Sequence, residues 1–177
     1  QINSNIDKVE ELEGDHQAYQ YLLEAIKRDG VPYDLISKSL PTVEGAVNDI
    51  LAQIVDFNVL FNMDGKVIDT HIVYDDDRVW PLELSSGMER FISSLAIRVG
   101  LMNVSNLPRS NFLAIDEGWG TMDSENLNSV AQLFQYLKTQ FQFTFVVSHI
   151  ESMRDFVDTL LEIKKVSGSS SVKFSRN

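Results

Sequence analysis

The chain has 177 residues and a mass of 20.1 kDa, and its shares of hydrophobic residues (44%) and charged residues (23%) are those of a folded domain rather than a disordered one. It contains no cysteine, which excludes disulfide scaffolds, thiolate metal sites and cysteine nucleophiles. Its net charge of −11 is opposite to that expected of a free-standing, non-specific nucleic-acid binder. Since neither a signal peptide nor a membrane-spanning apolar run is visible, we expect a soluble, acidic, intracellular domain.

The amino-terminal part of the chain predicts helices. Residues 1–29 are polar, with apolar residues at steps of three and four, which is typical of an amphipathic helix that meets one partner helix. Asp29-Gly30-Val31-Pro32 predicts the end of this helix and the start of another. A second helical pattern is predicted to open at Pro41. The apolar residues of the first pattern are Ile2, Ile6, Val9, Leu12, Tyr19, Leu22, Leu23 and Ile26.

The middle of the chain predicts a hairpin followed by a helix. Phe57–Phe61 and Val67–Val73 are rich in β-branched and aromatic residues, and the Asp64-Gly65 pair between them favours a tight turn. Leu84 and the small residues Ser85, Ser86 and Gly87 then lead into a strong helical pattern that begins at Met88.

After residue 110 the pattern alternates between strands and helices, which predicts a layered α/β fold with parallel pairings. Asp123 or Ser124 is a suitable cap for the first of these helices. The predicted elements are a buried strand over Phe112–Ile115, a helix from about 127, a strand over 141–147, a short helix near 151–158, and strands over 160–166 and 171–174 around a Gly-Ser turn.

Three groups of residues carry possible chemistry. Asp116 and Glu117 end a buried strand, where α/β sheets bind ligands, so Asp116 is a candidate for holding Mg²⁺ and Glu117 for orienting a water molecule. They are equally consistent with two surface acids.

The segment 84–87 offers backbone N–H groups and small residues at a helix start, which suits an anion, although an ordinary serine cap is the commoner explanation. His149 ends a strand, where a histidine is more often a hydrogen-bonding filler; His16 and His71 suggest no function.

The order of these segments resembles the distal half of an ABC-type ATPase. No G-x-x-x-x-G-K-[ST] phosphate loop occurs in the chain, and the SMC proteins and SbcC-like repair ATPases separate that loop from the distal half by a long coiled coil. The resemblance therefore implies the carboxyl-terminal lobe of such a head (residues 30–177) with a coiled-coil root (residues 1–29). The matching segments are Leu84–Glu89 (signature motif), Phe112–Glu117 (Walker B strand and catalytic glutamate), Gly118–Asp123 (D-loop) and Val146–His149 (switch histidine).

The resemblance also implies roles for single residues. Ser85, Ser86 and Gly87 would contact the γ-phosphate of ATP bound to a second head, and Asp116 would support Mg²⁺. Glu117 would polarise the attacking water and His149 would sense the γ-phosphate, while Asp123 would order the interface between the heads. The sequence departs from the family pattern at Ser86, where glycine is common, at Met88, where glutamine or glutamate is usual, and at Gly118, where proline is frequent.

The implied partners are an amino-terminal lobe that carries the phosphate loop, a second head, a nuclease and, through the assembly, DNA. The segment from Gly30 to Leu51 is more similar to the repair ATPases than to the SMC proteins. The location would be the cytoplasm or nucleoid of a prokaryote, or the nucleus of a eukaryote. An SMC-type chromosome-organising ATPase, a transporter's nucleotide-binding domain and a non-enzymatic α/β interaction module remain as alternatives; the transporter fits poorly because such domains carry their phosphate loop in the same short chain.

Overall fold

Two consecutive helices open the chain. The structure, a computed structural model, describes residues 2–64, 67–116, 119, 127–166 and 168–176. Helix α1 (Ile2–Ile26) is followed by α2 (Val31–Leu51), as predicted, with Gly30 at the N-cap of α2. A side chain at Gly30 would put its Cβ 2.4 Å from the carbonyl oxygen of Ala25, so only glycine fits between the two helices.

The predicted helix start at Pro41 is wrong, because α2 runs through this residue. A proline inside a helix removes one N–H donor and disfavours the preceding turn, but it does not by itself end a helix whose face is buried. Here the next turns of α2 are held in the core by Val47, Ile50 and Leu51.

A three-stranded antiparallel sheet follows α2. It consists of β1 (Asn58–Asp64), β2 (Val67–Asp75) and β3 (Arg78–Pro81), so the hairpin is confirmed and β3 is an additional strand. The outer edge of β1 is closed by side chains of α2. Asn48 pairs with both the N–H and the C=O of Val59, at 2.8 and 2.9 Å, and Glu44 accepts from the N–H of Phe61 at 2.8 Å. An edge strand left without such partners exposes unpaired backbone groups.

Helix α3 (Gly87–Val104) packs along α2 after a short 3-10 helix (Leu82–Leu84). The two long helices approach each other closely at Gly100, where an added Cβ would lie 2.8 Å from Cγ2 of the buried Val47. The buried face of α3 includes Ile92, Leu95 and Val99, in agreement with the predicted helical pattern.

The carboxyl-terminal half is built around one parallel strand pair. Strands β4 (Phe112–Asp116) and β5 (Phe143–Val147) pair in parallel, as predicted, and α4 (Leu127–Gln140) connects them. Val130, Leu133 and Leu137 of α4 are buried in the same core as Ile115 of β4. The fold class is therefore α/β, as expected.

The chain ends in an antiparallel hairpin. A 3-10 helix (Glu151–Phe156) leads into β6 (Thr159–Val166), which pairs with β7 (Ser169–Arg176). Gly168 in the turn has φ 86°, a conformation that favours glycine. In the described ranges the strands form three separate sheets, β1–β3, β4–β5 and β6–β7, so the parallel pairing that we predicted for this half is observed for β4 and β5 and not for the last two strands.

Candidate functional site

The start of α3, predicted as an anion site, is a fully formed capping box. The Ser86 hydroxyl accepts from the N–H of Glu89 at 3.2 Å, and the Glu89 carboxylate accepts from the N–H of Ser86 at 2.6 Å. The serine cap that we considered as the simpler explanation is thus present. It does not consume all the donors, because the N–H groups of Gly87 and Met88 meet no acceptor among the residues that the structure describes. Of the two residues Gly87 is partly exposed and Met88 is buried, so the N–H of Gly87 is the one that suits an anion.

Ser85 lies just before this cap and is directed inward. Ser85 is 8% exposed, and its hydroxyl donates to the carbonyl of Leu82 at 2.7 Å. The single proton of the hydroxyl is therefore in use, so Ser85 donates to an outside ligand only after its side chain rotates. Ser86 and Leu84 are exposed on either side of it.

Met88 explains one departure from the family pattern. Its side chain is 4% exposed and belongs to the hydrophobic core, so it points away from the surface on which Ser86 lies. A polar residue, usual at this position in the resembling family, would have to leave that core. Met88 therefore stabilises α3 and offers no side-chain contact to a ligand.

Glu89 connects the cap to the three-stranded sheet. Its second carboxylate oxygen accepts from the Tyr74 hydroxyl of β2. Burial disfavours ionisation of Glu89, but the hydrogen bonds from Tyr74 and Ser86 outweigh it and leave the pKa of this carboxyl below its usual value. Burial and the bond to Glu89 raise the pKa of the Tyr74 hydroxyl to about 12. The sequence analysis missed both partners of Glu89. Serine with glutamate three residues later is a recognisable capping-box signal for Ser86, whereas no local pattern indicates Tyr74.

Asp116 and His149 lie at one edge of the parallel pair. Asp116 is the last residue of β4 and stands opposite Val147, the last residue of β5; Ser148 and His149 follow directly. Because parallel strands end on the same side, the two predicted site residues share the carboxyl edge where α/β folds bind ligands. Both residues are exposed. The Ser148 hydroxyl accepts from the N–H of Ile150 at 3.1 Å, which shapes the turn that carries His149.

Two predicted site residues, Glu117 and Asp123, lie outside the described residues. Between them, Trp119 is described and is 1% exposed. Its ring lies 4.6 Å from that of Phe91 on α3 and 5.4 Å from that of Phe134 on α4, measured between centroids. The sequence analysis did not single out this tryptophan, although a large apolar side chain between Gly118 and Gly120 favours burial of that side chain in the core.

The donor set at the carboxyl edge suits a magnesium ion bound together with a phosphate. Mg²⁺ takes few protein carboxylates and keeps water or phosphate oxygens as its other ligands, so the single exposed carboxylate of Asp116 is a sufficient protein contribution. Over the described residues, no group of three or more His, Cys, Asp or Glu side chains is placed to hold a metal by itself.

One face of the β4–β5 pair is apolar and exposed. Phe112 and Phe143 stack with centroids 5.5 Å apart and are 47% and 57% exposed. Phe145 and Val147 continue this face along β5 and are also exposed. Contiguous apolar surface of this kind marks an interaction site in soluble proteins. A second exposed apolar set follows α1 and includes Leu12, Tyr19, Leu22 and Leu23.

In the described part of the chain, no helix combines the length and apolar character needed to cross a membrane.

Two proteins show how this chain relates to others in sequence. It is 35% identical over 170 residues, 87% of its length, to the uncharacterized protein R555 of Acanthamoeba polyphaga mimivirus. It is 32% identical over 96 residues, 52% of its length, to the SbcC subunit of the nuclease SbcCD from Staphylococcus aureus. The chain spans only 13% and 10% of the lengths of these two proteins. No family model matches it.

Two solved structures have a similar fold. The Smc head domain of Pyrococcus furiosus, with an extended coiled coil and bound to the C-terminal domain of ScpA, matches 98% of this chain and 43% of its own, with a TM-score of 0.66 and 16% identity. A structure from a study of ATP-driven dimerisation and DNA-stimulated activation of SMC ATPases matches 80% of this chain and 88% of its own, with a TM-score of 0.65 and 16% identity. The resemblance predicted from the motifs is confirmed: the chain is related in sequence to the SbcC subunit of a nuclease, and its α/β fold with a coiled-coil root is that of the carboxyl-terminal part of an SMC-type ATPase head.

Proposed function

We propose that this chain is the carboxyl-terminal lobe of a head that binds and hydrolyses ATP, dimerises on ATP to clamp DNA ends, and regulates a partner nuclease in double-strand-break repair. Residues 30–177 would form the lobe and residues 1–29 the coiled-coil root. The parallel β4–β5 pair is the observation that supports this most, because it brings Asp116 and His149 to one edge in the order that the resemblance requires. The sequence relation to a protein of a nuclease complex favours repair over chromosome organisation.

The residues at the carboxyl edge would serve the hydrolytic side of the site. Mg²⁺ bound with ATP would neutralise charge on the phosphates. Asp116 would hold this ion, directly or through water, since its carboxylate is exposed at the end of β4. Glu117 would accept a proton from the attacking water, and His149 would donate a hydrogen bond toward the γ-phosphate. Asp123 would order the contact between two heads.

The start of α3 would serve the other head. The N–H of the partly exposed Gly87, which meets no acceptor among the described residues, and the exposed Ser86 form a surface onto which the γ-phosphate of ATP held by a second head would fit. These contacts exist only while two heads are closed around the nucleotide. Loss of the γ-phosphate removes them and shifts the equilibrium toward open heads.

We assign the apolar face of β4–β5 to the missing amino-terminal lobe. A phosphate loop is absent from this chain, so a second lobe is needed to hold ATP. The exposed rings of Phe112, Phe143 and Phe145 supply the surface that such a lobe would cover. In the same way, the exposed apolar residues of α1 would pack against the returning helix of the coiled-coil arm.

The first experiment is native mass spectrometry of the chain mixed with its phosphate-loop lobe and Mg-ATP. The Glu117→Gln form should assemble into a twofold complex that retains ATP, while steady-state hydrolysis is lost. Glu10→Gln, on the exposed surface of α1, is the matched control and should hydrolyse ATP normally. Hydrolysis by Glu117→Gln at the wild-type rate would overturn the catalytic assignment, and a chain that stays at 20.1 kDa without nucleotide would favour the non-enzymatic module.

A second measurement separates the repair assignment from the SMC alternative. The assembled head is mixed in turn with a candidate nuclease and with a kleisin-like protein, and binding is followed by size-exclusion chromatography. Binding of the nuclease alone is expected. Binding of the kleisin-like protein alone would place the chain in a chromosome-organising complex.

A further inference from the structure

Trp119 is the centre of a row of aromatic rings that joins four segments of the chain. Its neighbours Phe91 and Phe134 lie on α3 and α4, and the Phe134 ring in turn stacks on Phe156 at 5.9 Å with an interplanar angle of 9°. Phe156 belongs to the 3-10 helix that follows His149. The row therefore extends from the helix that begins at Gly87 to the segment behind the β5 edge.

Trp119 lies between two glycines in the sequence. Gly118 and Gly120 carry no side chain, so Trp119 is the one residue of 118–120 whose side chain can pack against the core. The indole of Trp119 is 1% exposed, so the close-packed side chains around it fix its position.

We propose that Trp119, two residues after Glu117 in the chain, is a positioning residue that ties this point of the chain to α3. This inference rests on the function proposed above, in which Glu117 orients water and the start of α3 meets the other head. Phe91 lies one helical turn beyond Gly87, so the ring contact with Trp119 connects the surface that would meet the second head to a point two residues after Glu117. In a close-packed core, a shift of α3 displaces Trp119 with it.

The test measures ATP hydrolysis and ATP-driven dimerisation of the head assembled from both lobes. Trp119→Leu should lower kcat by about tenfold or more, because small misplacements of reacting groups are costly. The KM for ATP should stay within about twofold, since Ser86 and Gly87 are untouched, and kcat is compared at head concentrations at which the measured dimerisation is complete. Phe141→Leu is the matched control: Phe141 is a buried aromatic (6% exposed) outside the row of rings. It should lose stability yet keep its kcat.

A double-mutant cycle adds a readout that a purely structural role would not give. Phe91→Leu removes the α3 side of the contact and should also lower kcat. The double variant Trp119→Leu/Phe91→Leu should be no slower than Trp119→Leu alone, since both changes break one connection. Trp119→Phe, which keeps an aromatic ring, should recover part of the rate.

Each other outcome has a defined meaning. A wild-type kcat for Trp119→Leu would overturn the inference, and so would rate losses in Trp119→Leu and Phe141→Leu that are equal at equal losses of melting temperature. If Trp119→Leu does not fold, Phe91→Leu and Trp119→Phe decide in the same way. An assembled wild-type head that hydrolyses no ATP would instead overturn the proposed function.

Discussion

The Tyr74 hydroxyl donates a hydrogen bond to the Glu89 carboxylate and thereby links strand β2 to the first turn of α3. Glu89 uses its other oxygen for the N–H of Ser86, so a single side chain joins the sheet, the cap and the surface proposed to meet the second head. Tyr74 is itself held between the rings of Phe57 and Trp80, each 5.5 Å away between centroids. The cap is therefore braced from the sheet as well as from its own helix.

The first prediction concerns Tyr74→Phe in the assembled head. Removal of the hydroxyl leaves one oxygen of the half-buried Glu89 carboxylate without its donor, so the free energy of unfolding should fall by about 1–3 kcal/mol. Urea unfolding at pH 7 measures this loss. Tyr21→Phe, in α1 at a residue that is 77% exposed and outside the apolar set of this helix, is the control and should leave unfolding unchanged. An unaffected Tyr74→Phe would show that the bond contributes nothing.

The same pair predicts a dependence on pH. The pKa of Glu89 is lowered in the folded chain, so its contribution to stability is complete above its ordinary value of 4.5 and is lost as pH falls through the lower, folded value. The pKa of Tyr74 is raised from 10.0 to about 12, so its contribution is complete below 10 and is lost between these values. The difference between wild type and Tyr74→Phe should therefore shrink in acid and above pH 10. A constant difference from pH 3 to 11 would contradict this explanation.

The second prediction concerns the cap as an anion site. Aspartate and asparagine cap helices as well as serine does, but aspartate adds a negative charge. Ser86→Asp should preserve α3 and weaken ATP-driven dimerisation tenfold or more, because like charges at an interface cost several kcal/mol. Ser86→Asn, with the same cap and no charge, should dimerise nearly as wild type does. Equal dimerisation of the two variants, measured by analytical ultracentrifugation with Mg-ATP, would count against a γ-phosphate contact at this position.

Local sequence patterns were sufficient for most of the fold. Apolar periodicity predicted α1, α3 and the strands of the hairpin, and the alternation of strands and helices after residue 110 predicted the parallel β4–β5 pair. The pattern failed at Pro41, where burial of the following turns stabilises a helix that local propensity argues against. It also missed β3, since Arg78–Pro81 is too short to show alternation and ends in proline.

The site was predictable only in part. A parallel pairing is enough to bring Asp116 and His149 to one edge, and the family order then suggests their roles. The inward turn of Ser85 and the Tyr74–Glu89 bond depend on contacts between segments that are distant in sequence or on rotamers, and no local pattern encodes them. Trp119 is similar, because its partners Phe91 and Phe134 come from two helices on either side of it in the chain.

The third prediction tests how the edge of β1 is closed. Asn48→Asp keeps the acceptor for the N–H of Val59 but replaces the amide group that donates to the C=O of Val59 with a carboxylate oxygen. The half-buried carbonyl then loses its hydrogen-bond donor and faces a negatively charged oxygen. The free energy of unfolding should fall by about 1–3 kcal/mol. Asn58→Asp, on the exposed start of β1, introduces the same change in solvent and should have little effect. Similar unfolding curves for the two variants would remove this role from Asn48.

The fourth prediction compares two glycines in helices. At Gly100 of α3 an added methyl group would lie 2.8 Å from Cγ2 of Val47. Val47 is 0% exposed and therefore has little room to move. Gly100→Ala should therefore push α2 and α3 apart and destabilise the chain by about 1–3 kcal/mol, despite the higher helix propensity of alanine.

Gly45 of α2 is the matched control, since a methyl group there would meet nothing within 4 Å. Gly45→Ala should follow propensity alone and stabilise the helix by up to about 1 kcal/mol. The two substitutions are chemically identical, so opposite signs in thermal unfolding of the assembled head isolate the packing between α2 and α3. If Gly100→Ala is also stabilising, the two helices have room to separate, and the start of α3 is held by the Tyr74–Glu89 bond and the cap rather than by its packing on α2.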